Sequence, residues 1–520
     1  MAPSPTGSRN DDIEKDAGGA GEQLTLTRSL STSSGDYIKQ QTGDDDVLAR
    51  KMVHINNAWD EVGFTSHHIK LFFLNGFGYA VDSMLVVCQS ISQAQVQLEF
   101  TNRGVTKLLA VSLSSSIGLL FGALVWGIGG DFIGRKLAFN SSLFICAIFV
   151  IIAGSMPSYS SFCAMVALYS AGAGGNYAID STNFLEFLPH KYGFLTTILA
   201  AWWGVGYTIA GLFAWLYFPR WSCATADTCT WSNNKGWRLL HFTNGGIVLV
   251  LALVRVLLFK MEHSPKWLVT QGRDEEAVNV IQSIARKTGK PCSLTLDTLL
   301  AEGDVKTRHD KSFQGFKRTL KTLFITRKQA WSTVCLFFLW FLIGIANPLY
   351  SVFRPYYLST RGYSSGAASP YITWRNYTIT NICGLVGPFL AWPLLDTPYI
   401  RRRGTLAIGA ALTMAFLFGF TQVKTGTENL IVSSFINAVE NIFFGALYGV
   451  TPELLPTGSR ATGYGICVAI NRVCNIIANI IGTYANVYTS APLFVCASLF
   501  AGLVVVSLAL PLDPSGHHIG

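Results

Sequence analysis

Polar or ionisable residues that stand inside long apolar runs include Asp82, Asn176, Asp180, Asn347, Arg354, Glu440, Asn441 and Arg472. A charge at mid-bilayer costs about 2.5–3.5 kcal/mol on insertion scales, so it faces protein or water and has a partner. A carboxylate in such a site can accept a proton from one side of a membrane and release it to the other, and an arginine can hold an organic anion. Asp82 is the first candidate for the proton and Asp180 the second. Arg472 is read as the partner of an acid in the second half, with Glu440 nearest in depth. Plainer readings stand beside these. Asp82 can be a helix–helix hydrogen-bonding residue, Glu440 and Arg472 a fixed pair, and Arg354 a snorkelling side chain near a rim. Tyr177 and Tyr448 can stack on a ligand, although aromatics in apolar helices mostly pack or form belts. Enzyme chemistry finds no foothold. The chain has no Gly-x-Ser-x-Gly, no phosphate-binding glycine loop and no His-Glu-x-x-His, and His67-His68 is an isolated pair. No cofactor and no metal are expected.

The elements that position these residues follow from composition and hydropathy. Of 520 residues, 50% are hydrophobic and 13% charged, with mean hydropathy +0.36. A soluble domain of this size needs more polar surface. Apolar runs of spanning length recur, which predicts an all-α polytopic membrane protein. Residues 62–83 lead from an amphipathic segment into a first span, with further spans near 108–126, 138–156, 161–182, 194–218 and 239–259. A hydrophilic stretch, 260–330, follows; its Asp274–Lys287 portion has helical periodicity and an acid-to-base gradient suited to a surface helix. Six more spans are predicted near 331–353, 371–392, 404–421, 430–450, 464–484 and 491–511. The division is therefore a disordered cytoplasmic tail (1–52), a six-helix bundle (53–259), a central cytoplasmic loop (260–330), a second bundle (331–511) and a short tail (512–520).

The net charge of +9 is not a nucleic-acid signature. Its basic residues gather in alternate links, at Arg135-Lys136, Lys191, the central loop, Arg401-Arg402-Arg403 and Arg460, which puts both termini in the cytoplasm. Most of the 11 cysteines lie in apolar runs as packing residues. Cys223 and Cys229 sit in a polar outer loop and are candidates for a disulfide.

Two patterns recur between the halves. Gly127-Ile-Gly-Gly-Asp-Phe-Ile-Gly-Arg-Lys136 is a short link between two apolar runs, with Asp131, Gly134, Arg135 and Lys136 at a membrane edge. Asp396-Thr-Pro-Tyr-Ile-Arg-Arg-Arg-Gly404, which contains Arg402, holds the matching place in the second half. Likewise Glu186-Phe-Leu-Pro189 is matched by Glu453-Leu-Leu-Pro456. The offsets are 265 residues (131 to 396) and 267 residues (186 to 453), which points to an internal duplication and to two halves moving against each other.

The first of these links resembles the Gly-x-x-x-Asp-x-x-Gly-Arg-Lys loop of the major facilitator superfamily. Glu262-His-Ser-Pro-Lys-Trp-Leu268 and the stretch Thr451–Gly463 resemble its sugar-porter branch. Residues 62–83 with Asp82, and Asn471-Arg472, resemble relatives of synaptic-vesicle glycoproteins and of aromatic-acid:proton symporters. The stretch Gly174–Pro189 resembles a group of fungal transporters. The resemblance covers nearly everything after about residue 55. It implies twelve transmembrane helices in two six-helix bundles, with spans 1, 4, 7 and 10 around a central cavity. Each of those four spans carries a polar residue named above. It implies that Gly127, Asp131, Gly134, Arg135, Lys136, Glu186, Asp396, Arg402, Glu453 and Arg460 make the gate contacts that hold the outward-facing state. Two departures stand out: Ile400 replaces the family glycine, and Gly193 replaces an arginine near Lys191. The implied function is proton-coupled symport of a small polar metabolite, an organic acid before a sugar, by a monomer in the lipid bilayer. The plasma membrane is favoured and the vacuolar membrane is the alternative. The competing readings are a proton-driven exporter of a secondary metabolite and a nutrient sensor with a transporter fold.

Overall fold

The structure is a computed structural model that describes residues 46–101, 109–132, 135–257, 262–305, 317, 320–360, 369–456, 459–484 and 491–511. Backbone alone is given at 109, 127–132, 135–139, 177–178, 190, 352–360 and 482–484. Among the described residues every regular element is helical, and nine helices are long and apolar enough to cross a membrane. Two shorter apolar helices, Ala110–Trp126 and Asn140–Gly154, accompany them.

The first half begins with α1 (Asp46–Val62) and α2 (Ser66–Thr101), separated by a turn in which Gly63 takes a left-handed φ of 67°. Residues 46–52, assigned above to a disordered tail, are thus the first turns of a helix. They form one because Leu48, Met52, Ile55 and Trp59 fall on a single buried face. The 36 residues of α2 measure about 54 Å, well beyond a hydrocarbon core of about 30 Å, so its ends project from the bilayer. Then come α3 (Leu109–Phe132), α4 (Arg135–Gly154), α5 (Tyr159–Ala173), α6 (Asn176–Phe187), α7 (Leu195–Leu199), α8 (Ala201–Tyr217) and α9 (Gly236–Leu257). The central segment forms α10 (Pro265–Thr270), α11 (Asp274–Thr288) and α12 (Leu296–Leu300). The second half has α13 (Arg327–Thr360), α14 (Pro370–Gly384), α15 (Val386–Asp396), α16 (Arg401–Phe420), α17 (Gly426–Leu454), α18 (Arg460–Tyr484) and α19 (Ala491–Leu508).

Three expected spans are interrupted, the fifth (194–218) only at Ala200, between α7 and α8. The fourth, read as one helix over 161–182, breaks between Ala173 and Asn176. Glycine is required there by close approach, since a Cβ on Gly174 would strike the Leu119 backbone of α3. The eighth breaks at Leu385, where Pro388 offers no N–H to the carbonyl four residues earlier. α3 and α5 lie almost backbone to backbone, because Gly122 faces the Ala171 carbonyl with nothing between them.

The central helices pack onto α1. Lys51 Nζ and Asp274 Oδ2 form a buried ion pair, Arg50 pairs with Glu302, and His54 Nε2 lies 3.1 Å from Glu302 Oε1. The Ser293 N–H and hydroxyl donate to Glu61 Oε2 at 2.8 and 2.7 Å, holding that carboxyl below its usual range. The Asp274–Thr288 helix carries Asp274, Glu275 and Glu276 in its first turn and Arg286 and Lys287 in its last, and ends on Gly289 at φ 65°. Lys266 of α10 is wholly buried beside Arg460, Glu186 and Asp60. Burial and the Arg460 charge hold its amine down to about 7, against the pull of the two carboxylates.

Two outcomes follow. A side chain at Gly122 must push α3 off α5, so Gly122→Leu should destabilise the protein by about 1–3 kcal/mol, read as earlier thermal loss of the monodisperse species. Folded Lys266 releases its proton near 7 while the unfolded chain keeps it to about 10.5, so unfolding free energy should rise as pH climbs between those values. Thermal unfolding across that range in Lys266→Met should lack this rise.

Candidate functional site

The end of the molecule that carries α1 and α10–α12 is called basal, the other apical. On α2 the buried polar residues Asn75 and Asp82 stand seven apart, two helical turns, on one face. The glycine break starts α6 at Asn176, so that Asn176 and Asn183, again seven apart, run antiparallel to them. Asn176 Nδ2 donates to Asp82 Oδ1 at 2.8 Å, and Asn183 Nδ2 reaches Asn75 Oδ1 at 3.4 Å. Asp82 is 1% exposed and its other oxygen, Oδ2, has no hydrogen-bond partner among the described residues. Deeper in the same bundle Arg255 Nη2 of α9 donates to Asp180 Oδ1 at 2.9 Å, with both side chains buried. The Asp180 carboxylate occupies the place of a side chain at position 78, which is why α2 has Gly78 there. A cavity of about 40 Å³ among Phe73, Phe77, Leu143 and Leu251 reaches Arg255.

The second half repeats this arrangement with the roles exchanged. Asn347 Nδ2 of α13 donates to Glu440 Oε1 of α17 at 2.7 Å. Asn347 lies 265 residues after Asp82 and Glu440 lies 264 after Asn176, the spacing of the duplicated links. Each half therefore ties one buried carboxylate to one amide at equivalent positions. The side chain bonded to Glu440 is thus Asn347 and not Arg472. The charge of Arg472 instead acts on Asp82 of the other half, and on Tyr207, because α18 packs along α3 at the junction of the halves. Asn441 also departs from expectation. It donates to Asn437 at 2.8 Å (O) and 2.6 Å (Oδ1) and lies against Gly384 and Gly387, so it serves packing of α17 on α14–α15. The side chains of Tyr177 and Arg354 lie outside the described residues. Tyr448 is the hub of an aromatic group: Phe444 stacks on it at 5.7 Å, with Trp340 at 5.5, Trp203 at 6.1 and Tyr79 at 6.2 Å. Its members come from both halves, so the group sits where the halves meet.

Among the expected gate residues, Glu186 and Arg460 pair at 3.6 Å between the halves, both fully buried. Arg402 donates to Glu453 at 3.1 and 3.4 Å within the second half. Asp396 makes no such pair among the described residues; its Oδ2 accepts from Trp392 Nε1 at 3.0 Å, one turn back on its own helix. Gly134 lies outside the described residues, as do the side chains of Asp131, Arg135 and Lys136, and Gly127 is described by its backbone alone. Along α7–α8 and α14–α15 the halves touch at both ends. Phe194 stacks on Trp392 at 4.8 Å basally, while Phe218 meets Trp374 at 5.1 Å and Trp215 meets Tyr371 at 5.4 Å apically.

At the apical end Cys223 and Cys229 are joined by a disulfide. The Cys223 N–H donates to Gln95 Oε1 at 2.8 Å. Nearby Glu99 accepts from Arg238 at 2.8 and 2.7 Å and from Trp237 Nε1 at 2.9 Å. Sequence reasoning missed Arg255, Glu99, Arg238, Asn75 and Asn183. Arg255 was findable, as a charge inside the apolar run 251–257. Glu99 and Arg238 lie beyond the expected span ends and had no such signal.

Comparison with known proteins fits this architecture. The sequence profile of the Major Facilitator Superfamily matches residues 71–478. "MFS siderochrome iron transporter 1" of Ceriporiopsis subvermispora is 37% identical over 484 residues, 91% of this chain and 92% of that protein. "Major facilitator-type transporter hxnZ" of Emericella nidulans is 34% identical over 496 residues, 91% of this chain and 88% of that protein. The solved proton:xylose symporter XylE superposes with a TM-score of 0.65 at 16% identity, covering 88% of this chain and 98% of XylE, a likeness of fold. With the profile spanning most of the chain and the helical halves carrying duplicated acid–amide pairs, this chain belongs to the Major Facilitator Superfamily, a family of membrane transporters and not of enzymes.

Proposed function

We propose that this transporter is a proton-coupled symporter of a small organic acid, working by alternating access with twelve spans and both termini in the cytoplasm, at the plasma membrane. The basal end is then cytoplasmic. The observation that carries the reading is Asp82: a buried carboxylate bonded on one oxygen by Asn176, unbonded on the other, and within reach of the Arg472 charge across the junction. The unbonded oxygen is where a proton would sit. Protonation would remove the negative charge that Arg472 feels, freeing the guanidinium to hold a carboxylate substrate. An anion and a proton would thus enter together, and release of the proton on the other side would restore the Asp82–Arg472 attraction and expel the anion. Glu440, held by Asn347, is the second titratable acid, and the aromatic group around Tyr448 would form a wall suited to a flat acid. The Glu186–Arg460 pair would close the cytoplasmic end and break when the halves rock. A sugar is the second substrate class, since the neighbour of known structure is named for xylose. The siderochrome named for one relative makes a ferric chelate a third.

Uptake into proteoliposomes under an imposed pH gradient tests this, with labelled benzoate, succinate, xylose and a ferric siderochrome offered in parallel. Gradient-driven uptake of an acid should fall at least tenfold in Asp82→Asn while counterflow exchange persists. Equal uptake by Asp82→Asn and wild type would remove Asp82 from the coupling step.

A further inference from the structure

We propose that the apical half of the first bundle holds a row of ordered waters, bounded by Gln89, Tyr169, Asn244 and His241, which carries the proton from the apical side to Asp82. The proposal rests on the proton-coupled reading of Asp82 and adds the route by which the proton arrives.

The antiparallel ladder of α2 against span four has rungs at Asn75·Asn183 and Asp82·Asn176. One further step of seven residues on each helix, toward the apical end, reaches Gln89 on α2 and Tyr169 on α5. Both residues are buried, and among the described residues neither Gln89 Oε1 nor Tyr169 Oη has a hydrogen-bond partner. α9 turns His241 and Asn244 toward the same region, both 0% exposed. His241 Nδ1 lies 2.8 Å from the Trp237 carbonyl, and among the described residues its Nε2 has no partner and Asn244 has none but the Cys88 thiol. The His241 and Tyr169 rings are 6.5 Å apart, and the thiol of Cys88, one residue before Gln89 on α2, lies near both Asn244 and Tyr169. The row continues inward. Cys146 Sγ donates to the Tyr169 carbonyl at 3.4 Å and lies within reach of the Asp82 charge.

Buried polar groups are nearly always bonded to protein or to water. This set mixes an acceptor (Gln89 Oε1), a donor–acceptor hydroxyl (Tyr169), an amide with both functions (Asn244) and a ring nitrogen (His241). Water answers all of them, being both donor and acceptor and small enough to lie between helices. The charged and titratable groups that face the row are few. Arg238, itself paired with Glu99, faces His241; Cys88, Cys146 and Cys163 face Tyr169; Asp180, Arg255 and Arg472 face Asp82. Along such a row each hop breaks one O–H or N–H bond and forms the next. The only net change is one proton removed from the apical solvent and one gained at Asp82 Oδ2.

Hydroxyl-radical labelling by X-ray radiolysis, on the full chain in lipid nanodiscs, reports water at buried side chains without needing a substrate. Corrected for intrinsic reactivity, Tyr169 and His241 should label at least tenfold faster than Phe443 and Phe500, which are buried as fully in the second half. Labelling as slow as those phenylalanines would show a dry contact and overturn the proposal. In proteoliposomes taking up a mixture of labelled benzoate and succinate, Tyr169→Phe and Asn244→Leu should slow gradient-driven uptake at least fivefold and leave counterflow unchanged. Tyr169→Phe removes one oxygen only, so loss of folding does not obscure the result. Wild-type uptake that follows the gradient, with both variants equal to it, would overturn the route alone. Wild-type uptake that ignores the gradient would instead sink the coupling reading on which the route depends.

Discussion

A carboxylate inside an apolar helical layer must have a donor beside it, and much of this molecule is arranged to supply one. Asp82 obtains it from Asn176, which is in place because α6 starts afresh after Gly174-Gly175. Those glycines in turn let the broken span lie against α3. Local sequence, helix packing and a buried hydrogen bond are therefore one constraint seen at three scales. A bulkier link would move Asn176, and Asp82 would then be a buried charge without its donor, a state costing several kcal/mol.

The same constraint appears twice, with acid and amide exchanged between equivalent spans. Exchange preserves the hydrogen bond while changing which helix carries the titratable group. In the first half the acid is on α2 and lies within reach of Arg472 from the other half; in the second it is on α17, bonded by Asn347. A duplicated scaffold has thereby acquired one acid that feels Arg472 across the junction and one, Glu440, whose own charge reaches Tyr207 of the first half. Asymmetry of this sort gives a carrier a reason to treat its two carboxylates differently. At the basal end the Glu186–Arg460 pair is buried and linked electrostatically to Lys266, so the contact between the halves is joined to the α1–α10–α12 cap. Breaking a buried pair of this kind is costly unless water or new partners arrive, which suits a two-position interface better than a gradual one.

Much of this was legible in the sequence. Hydropathy located the apolar spans, and the matched links at 131 and 396 revealed the duplication. The rule that charges in lipid need partners singled out Asp82, Asp180 and Glu440. What it could not supply was the partners' identities, because these depend on helix rotation and depth. Arg472 was assigned to the nearest acid in its own half, yet α18 packs against the other half and its charge acts on Asp82. Asn441 looked like a cavity residue by being next to Glu440, but adjacent helical positions point about 100° apart, and it faces α14–α15. The break in span four was hidden because Gly174-Gly175 sits in an unbroken apolar run, where glycine is common for packing reasons alone. The first turns of α1, 46–52, were hidden for the opposite cause: they carry charges and only a short apolar stripe, so they read as tail.

The central claim is that the protonation state of Asp82 sets whether the basal contact between the halves is closed. The most direct measurement is a distance between spin labels at Lys191 and Tyr399, exposed positions at the basal ends of the two halves, by pulsed electron resonance in nanodiscs. Lowering the pH should shift the wild-type distance distribution, and Asp82→Asn should hold one distribution at every pH. If Asp82→Asn shifts with pH as the wild type does, the proton that moves the halves binds elsewhere and the account fails.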